Sequence, residues 1–261
     1  MTFKTVSLSQ LTLDDEGSFR HVGLYRDLKQ IAIDDRLPFR VPSSKKPVAW
    51  ARALFLNLTF WNAVEPADVL ADAHLPADVV THAAWHHLAR IAFGASGMGA
   101  DAMYLGEAIA SAFDLYLVGR LLTNAPDSEF LATQVPAMAE RASDAGMSDD
   151  AFEAMLASIA DAPERAFEDL RALLFDATTS LVQARDVDDA AERIAAFDGH
   201  RFGPILHHYE LSNWILFTRA YAPQNLGPDE VVRSVDRALR AAPDPIAWLE
   251  ERWVAPRLAK R

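Results

Sequence analysis

Cysteine is absent from the 261 residues, which excludes disulfides, thiolate metal sites, cysteine nucleophiles and thiolate-ligated haem. Positive charge is scarce as well. Twenty-five Lys and Arg against 37 Asp and Glu leave a net charge of −12, the wrong sign for gripping phosphate backbones or anionic lipid. No uninterrupted apolar run approaches the roughly 18 residues that suggest a membrane-crossing helix. The opening MTFKTVSLSQLTLDDEGSF lacks the apolar core of a signal peptide. A cytoplasmic protein with neither nucleic-acid nor membrane partners is the expectation. Strand signals are thin too, since only Phe3 to Leu13 alternates roughly. Gly-x-Ser-x-Gly, His-Glu-x-x-His and Glu-x-x-His are missing, which removes the usual signatures of a nucleophile elbow, a zinc protease and a four-helix di-iron site.

Helical periodicity fills most of the rest, in a chain that is 51% hydrophobic. Four apolar helices are expected near 50–62, 77–93, 100–122 and 204–221. More polar ones at 129–145, 148–160 and 164–185 would wrap outside them, and two around 229–241 and 245–253 finish the chain. Pro76 opens the second helix and Gly94 closes it. Pro38, Pro42 and Pro47 bracket an extended linker. The acidic runs at 14–16 and 188–189 read as solvated helix ends. The fold predicted is an all-α single-domain bundle, with residues 1–47 an N-terminal arm and linker and residues 48–261 the helical domain.

Six of the eight histidines fall in two clusters, His82, His86 and His87 on one apolar segment and His200, His207 and His208 on another. At helical spacing His82 and His86 share a face, and His87 points about 100° away. His200 and His207 share a face with Trp214 if one helix runs through Pro204. Three readings follow. The buried helices offer Glu107, Asp114 and Glu210, so the histidines could join carboxylates around the metal of a non-haem di-iron or manganese oxygenase of the helical-bundle type, although the ligand count is short. Alternatively the two clusters could flank a haem, in a slot lined by aromatics such as Phe60, Trp61, Trp85, Phe113, Tyr116 and Trp214. In a non-catalytic helical binding protein they would be packing residues.

Three segments together resemble the tryptophan 2,3-dioxygenase superfamily, all-α proteins that hold a His-ligated b-type haem. Thr81-His82-Ala-Ala-Trp85-His86-His87-Leu-Ala-Arg90 is similar to that family's distal helix in the spacing of His82, Trp85 and Arg90. The stretch from Glu107 to Arg120 looks like the helix whose arginine clamps an amino-acid carboxylate. The third, 201–218, resembles the helix of the axial histidine, although the Val-Glu-Arg that follows that histidine in the dioxygenases is missing here. The Gly-rich loop of those enzymes is absent also. Residues 53–61 and 106–114 are more like the haem-dependent aromatic hydroxylases of natural-product pathways. The resemblance implies haem b and the oxidation of a small aromatic amino acid, L-tyrosine to 3,4-dihydroxyphenylalanine for example, with hydrogen peroxide or dioxygen. It implies His207 or His208 as the axial ligand, with His200 the alternative, and His82 or His86 as the distal proton carrier. Arg120 would hold the substrate carboxylate, with Trp85, Phe113 and Tyr116 around the substrate and Phe60, Trp61 and Trp214 against the haem. A homo-oligomer is expected.

Overall fold

The computed structural model describes residues 2–43, 67–94, 99–221 and 226–259, with Tyr221 by its backbone only. Among them are twelve α-helices and five short strands, so the chain is predominantly all-α. The strands are β1 (Phe3–Ser7), β2 (Thr12–Asp14), β3 (Pro38–Pro42), β4 (Asp68–Val69) and β5 (His74–Pro76). The helices are α1 (Glu16–Phe19), α2 (Gly23–Asp34), α3 (Ala77–Phe93), α4 (Ala100–Asn124), α5 (Glu129–Asp144), α6 (Asp149–Asp161), α7 (Pro163–Leu181), α8 (Val187–Ala195), α9 (Leu211–Tyr221), α10 (Glu230–Ala241), α11 (Pro245–Leu249) and α12 (Ala255–Leu258).

The architecture is organised by α4. It is buried all round, as its lack of a polar face requires. Helix α7 lies along one side of it and α3 along another, while α5, α6 and α10 close further sides. Gly119 permits the tightest of these approaches. A Cβ there would stand 2.6 Å from the Ile159 carbonyl oxygen, so a hydrogen is all that fits. Caps follow the sequence signals, with Ser128, Ser148, Asp186, Asp229 and Asp244 each accepting from a backbone N–H of the helix that follows. The acidic run at 188–189 is accordingly the first turn of α8. No helix among the described residues is long and apolar enough to cross a membrane.

Three expectations are corrected. Residues 3–42 are no arm: β1 pairs antiparallel with β3 from Phe3↔Pro42 to Ser7↔Pro38, and β4 adds parallel to β3. The missed signal is the helical spacing of Leu24, Leu28 and Ile31, which buries α2 in the same core as Trp85 and Leu88. At its end Asp35 accepts from His87 Nε2 of α3 at 2.7 Å and pairs with Arg257 of α12, fastening this region to both. Second, 204–221 is not one helix. Residues Gly203–Tyr209 form a tight 3₁₀ segment, Glu210 takes a left-handed conformation at φ 50°, and α9 begins afresh at Leu211. Third, the last helix does not end at 253: the chain stays helical from Pro245 to Leu258, α11 widening into a π-helical turn over Glu250–Val254 that leads directly into α12. The helix expected at 50–62 lies outside the described residues, and Phe60 and Trp61 with it.

Candidate metal centre

Strand β5 ends where α3 begins, with Pro76 as the cap and Asp78 in the first turn. Seventeen residues later Gly94 stops the helix at φ 54°. Between these limits the four-residue spacing of His82 and His86 puts both rings on the face turned toward α4, with centroids 4.9 Å apart. Two carboxylates meet them. Glu107 and Asp114 stand seven residues apart on α4, close to two turns, and therefore on one face. Beside His86 the facing residues are small, Ala89 on α3 and Gly106 on α4.

The geometry is specific. His86 Nε2 lies 3.5 Å and His82 Nε2 3.9 Å from the same oxygen, Glu107 Oε2. One ligand atom from each of these three residues falls within a common 4.8 Å. Donors held about 2.1 Å from a tetrahedral ion stand about 3.4 Å from each other, so the spacing is close to that of ligands around one centre. His82 uses its other nitrogen, Nδ1, to donate to Asp114 Oδ2 at 2.9 Å. That carboxylate–imidazole pair directs Nε2 toward Glu107.

Glu107 is nearly buried, with 6% of its side chain exposed, while both imidazoles are 31% exposed. The assembly is thus closed below and open on one side. Glu107 Oε1 and Asp114 Oδ1 are buried with no hydrogen-bond partner among the described residues. A buried carboxylate oxygen left unpaired is costly, which suits groups that await a cation or a donor.

The carboxylates favour positive charge here, and without an ion His82 carries it as a proton that a metal would displace. Burial alone would lower the His82 pKa, but Asp114, then Glu107 and Asp68, outweigh it and push the imidazole up to about 9. Asp68 is the contribution that sequence reasoning missed. It sits on β4, and burial pushes its carboxyl up against the opposing pull of His86 and His82, with Glu107 adding to the rise. Nothing in the local sequence marks it, because β4 is two residues long and brought here by pairing with β3. Glu107 and Asp114 were legible as inward carboxylates, and their seven-residue spacing beside a His-x₃-His pair is the signal that joins them.

The other expected site residues lie elsewhere. Trp85 and Phe113 are fully buried and meet edge to face at 5.3 Å, and Tyr116 follows at 5.1 Å from Phe113, all as core. Arg120 donates to Tyr116 Oη at 3.1 Å and pairs with Glu164 of α7. Thirteen residues separate it from Glu107 on α4, about 20 Å along the axis. His200 lies in the turns after α8, where its Nδ1 accepts from the Phe202 N–H at 3.1 Å, so it shares no helix with His207. His207 is exposed on the 3₁₀ segment and His208 half-buried beside it. Trp214 is half-buried on α9, and Glu210 turns to Asn213. His87 is held by Asp35 and does not join the pair on its helix.

A cavity adjoins this site. It measures about 80 Å³ and is lined by Asp114, Leu115 and Val118 of α4, Gln134 and Met138 of α5, and His208 and Tyr209. Asp114 is therefore shared, bonded to His82 and lining the cavity that His208 also borders. Comparison with known proteins finds no family model, curated protein or solved structure that matches the chain.

Proposed function

We propose that the chain is a metal-dependent oxidoreductase whose ion is held by His82, His86 and Glu107 without a porphyrin. The meeting of those three donors, from two adjacent helices, is the observation that carries the reading. Two imidazoles and one carboxylate on a common face, with one side open, form the donor set of mononuclear non-haem iron(II) oxygenases. Bound there, iron would supply redox chemistry toward dioxygen.

The residues of the chain do the rest. Glu107 contributes the negative charge, and its burial keeps that charge poorly screened. Asp114 fixes the tautomer and tilt of His82. The buried packing of α3 on α4, with Trp85 against Phe113, holds the two helices that carry the donors.

Haem suits this donor set less well. A porphyrin fills four positions of its iron and leaves two, on opposite faces. Three donors aimed at one point from a single helix pair do not match that demand. The histidines expected on the axial side lend it little support, since His207 is exposed and His208 borders a cavity with room for only a few waters. An amino-acid carboxylate at the centre would also be out of reach of Arg120.

Anaerobic loading with iron(II), manganese(II) or zinc(II), followed by metal analysis and a dioxygen electrode, tests the proposal. About one ion per chain, with dioxygen uptake that requires iron(II), supports it. Tight zinc with no uptake under any condition points to a hydrolase instead. A Soret band after expression with haem precursor, abolished by His208→Ala, would restore the haem reading.

A further inference from the structure

Helix α10 is held to the molecule largely by charge. Of its twelve residues only Val232, Asp236 and Leu239 are buried, and one of these is a carboxylate. Val232 and Leu239 reach the core, with Val235 half-buried beside them. Ion pairs supply the other contacts. Asp101, buried in the first turn of α4, accepts from the Asp229 N–H at 2.9 Å and from Arg233 Nε at 2.8 Å. Asp236 accepts from Arg171 Nη1 of α7 at 2.8 Å. In the last turn Arg240 Nη2 donates to Asp176 of α7 at 2.8 Å. Arg171 is the unusual member, the one fully buried Lys or Arg among the described residues. Its Nε and Nη2 both donate to Glu168 of its own helix at 2.7 Å, so half of its pairing stays on α7 if α10 moves away.

These contacts hold register better than they hold the helix down. Withdrawing a charged pair from water costs about as much as the pairing returns, so Arg171 and Asp236 add little net attachment. The pairs at the two ends involve half-exposed arginines and are screened by salt. Two fully buried apolar side chains do not offset the entropy of fixing twelve residues. The next helix is anchored differently, with Pro245, Ile246 and Leu249 buried in five residues. We propose that α10 is a charge-docked strap, lifting off α4 and α7 as a unit while both stay folded, with ionic strength setting how often it lifts. Lifting returns Arg171, Asp236 and Asp101 to water, and so uncovers the first turn of the helix that carries Glu107. The inference is independent of the metal reading.

Amide hydrogen exchange of the full chain, read by mass spectrometry at about 0.05 M and about 1 M sodium chloride, tests the strap. At low salt, peptides covering 230–241 should exchange at least tenfold faster than those of α4 and α7. High salt should speed them by about fivefold or more and leave α4 and α7 nearly unchanged. A helix docked by apolar burial would not loosen in this way. Exchange in α10 as slow as in α4, or indifferent to salt, overturns the proposal. The buried pair gives a second reading. Arg171→Met combined with Asp236→Leu puts apolar groups in place of both charges, and should slow α10 exchange about threefold because no buried charge then regains water on lifting. Asp236→Leu alone leaves Arg171 covered and only half paired, and should speed it. A double variant whose α10 exchanges faster than the parent's would make that pair the real fastening and overturn the strap. Should the double variant fail to fold, the salt comparison still decides.

Discussion

His82 Nδ1 and Asp114 Oδ2, 2.9 Å apart across the interface of α3 and α4, fix which nitrogen of the imidazole is left for a ligand. The donor spacing at Glu107 depends on that contact. Partners of this kind typically contribute 10–100-fold in metal affinity. Asp114→Ala should therefore weaken metal binding by about that factor with the helical fold retained, as read by chelator competition alongside circular dichroism. Unchanged affinity would remove Asp114 from the site.

Asp78, in the first turn of α3, gives a stability test. Burial, then the nearby Asp114, pushes its carboxyl up to about 6 from an ordinary 3.8. Between those values the folded chain holds a proton that the unfolded chain has released, so stability falls as pH rises through this window. Asp78→Asn lacks the penalty and should be more stable at pH 7 by about 1–3 kcal/mol. The gain should vanish below pH 4 in thermal unfolding. A gain that persists unchanged at low pH contradicts the assignment.

Asp35 has the opposite sign. Burial would raise its carboxyl, but hydrogen bonds from Arg257 and His87 hold it below 3.8. The stabilisation it provides is present above about pH 3.9 and is lost as pH falls further. Asp35→Ala leaves two half-buried donors without their acceptor, and should cost about 1–3 kcal/mol at pH 7. The difference from the parent chain should shrink in acid.

Gly119 tests the packing around α4. An added methyl would meet the Ile159 carbonyl oxygen at 2.6 Å and Pro163 Cβ at 2.9 Å, neither of them a flexible tip that could move away. Gly119→Ala is expected to lower stability by about 1–3 kcal/mol or more, despite the better helix propensity of alanine. A stabilised variant would mean that α4 and the α6–α7 corner are not packed as described.

Helices with one strong period were legible in the sequence, and α3, α4, α5 and α6 begin and end within a residue or two of the positions that periodicity and caps indicate. Tertiary pairing was not. Strands β1 and β3 lie far apart in the sequence and are joined by backbone hydrogen bonds, so neither segment names its partner even though Phe39 and Val41 of β3 alternate inward. The break at Glu210 escaped because left-handed backbone is uncommon outside glycine, so no residue type announced it. At the site, the four-residue step from His82 to His86 and the seven-residue step from Glu107 to Asp114 are sequence facts. That the two steps face each other is a fact of helix packing alone, and Asp68 joins them only through a sheet.

The most direct trial is cobalt(II) titration of the metal-free chain, followed by visible absorption. The proposed centre predicts one equivalent bound with d–d bands, and binding at least 100-fold weaker in His86→Ala and in Glu107→Gln, with His200→Ala unchanged. Equal affinity in all four proteins, or no saturable binding in any, would contradict a centre built on His82, His86 and Glu107.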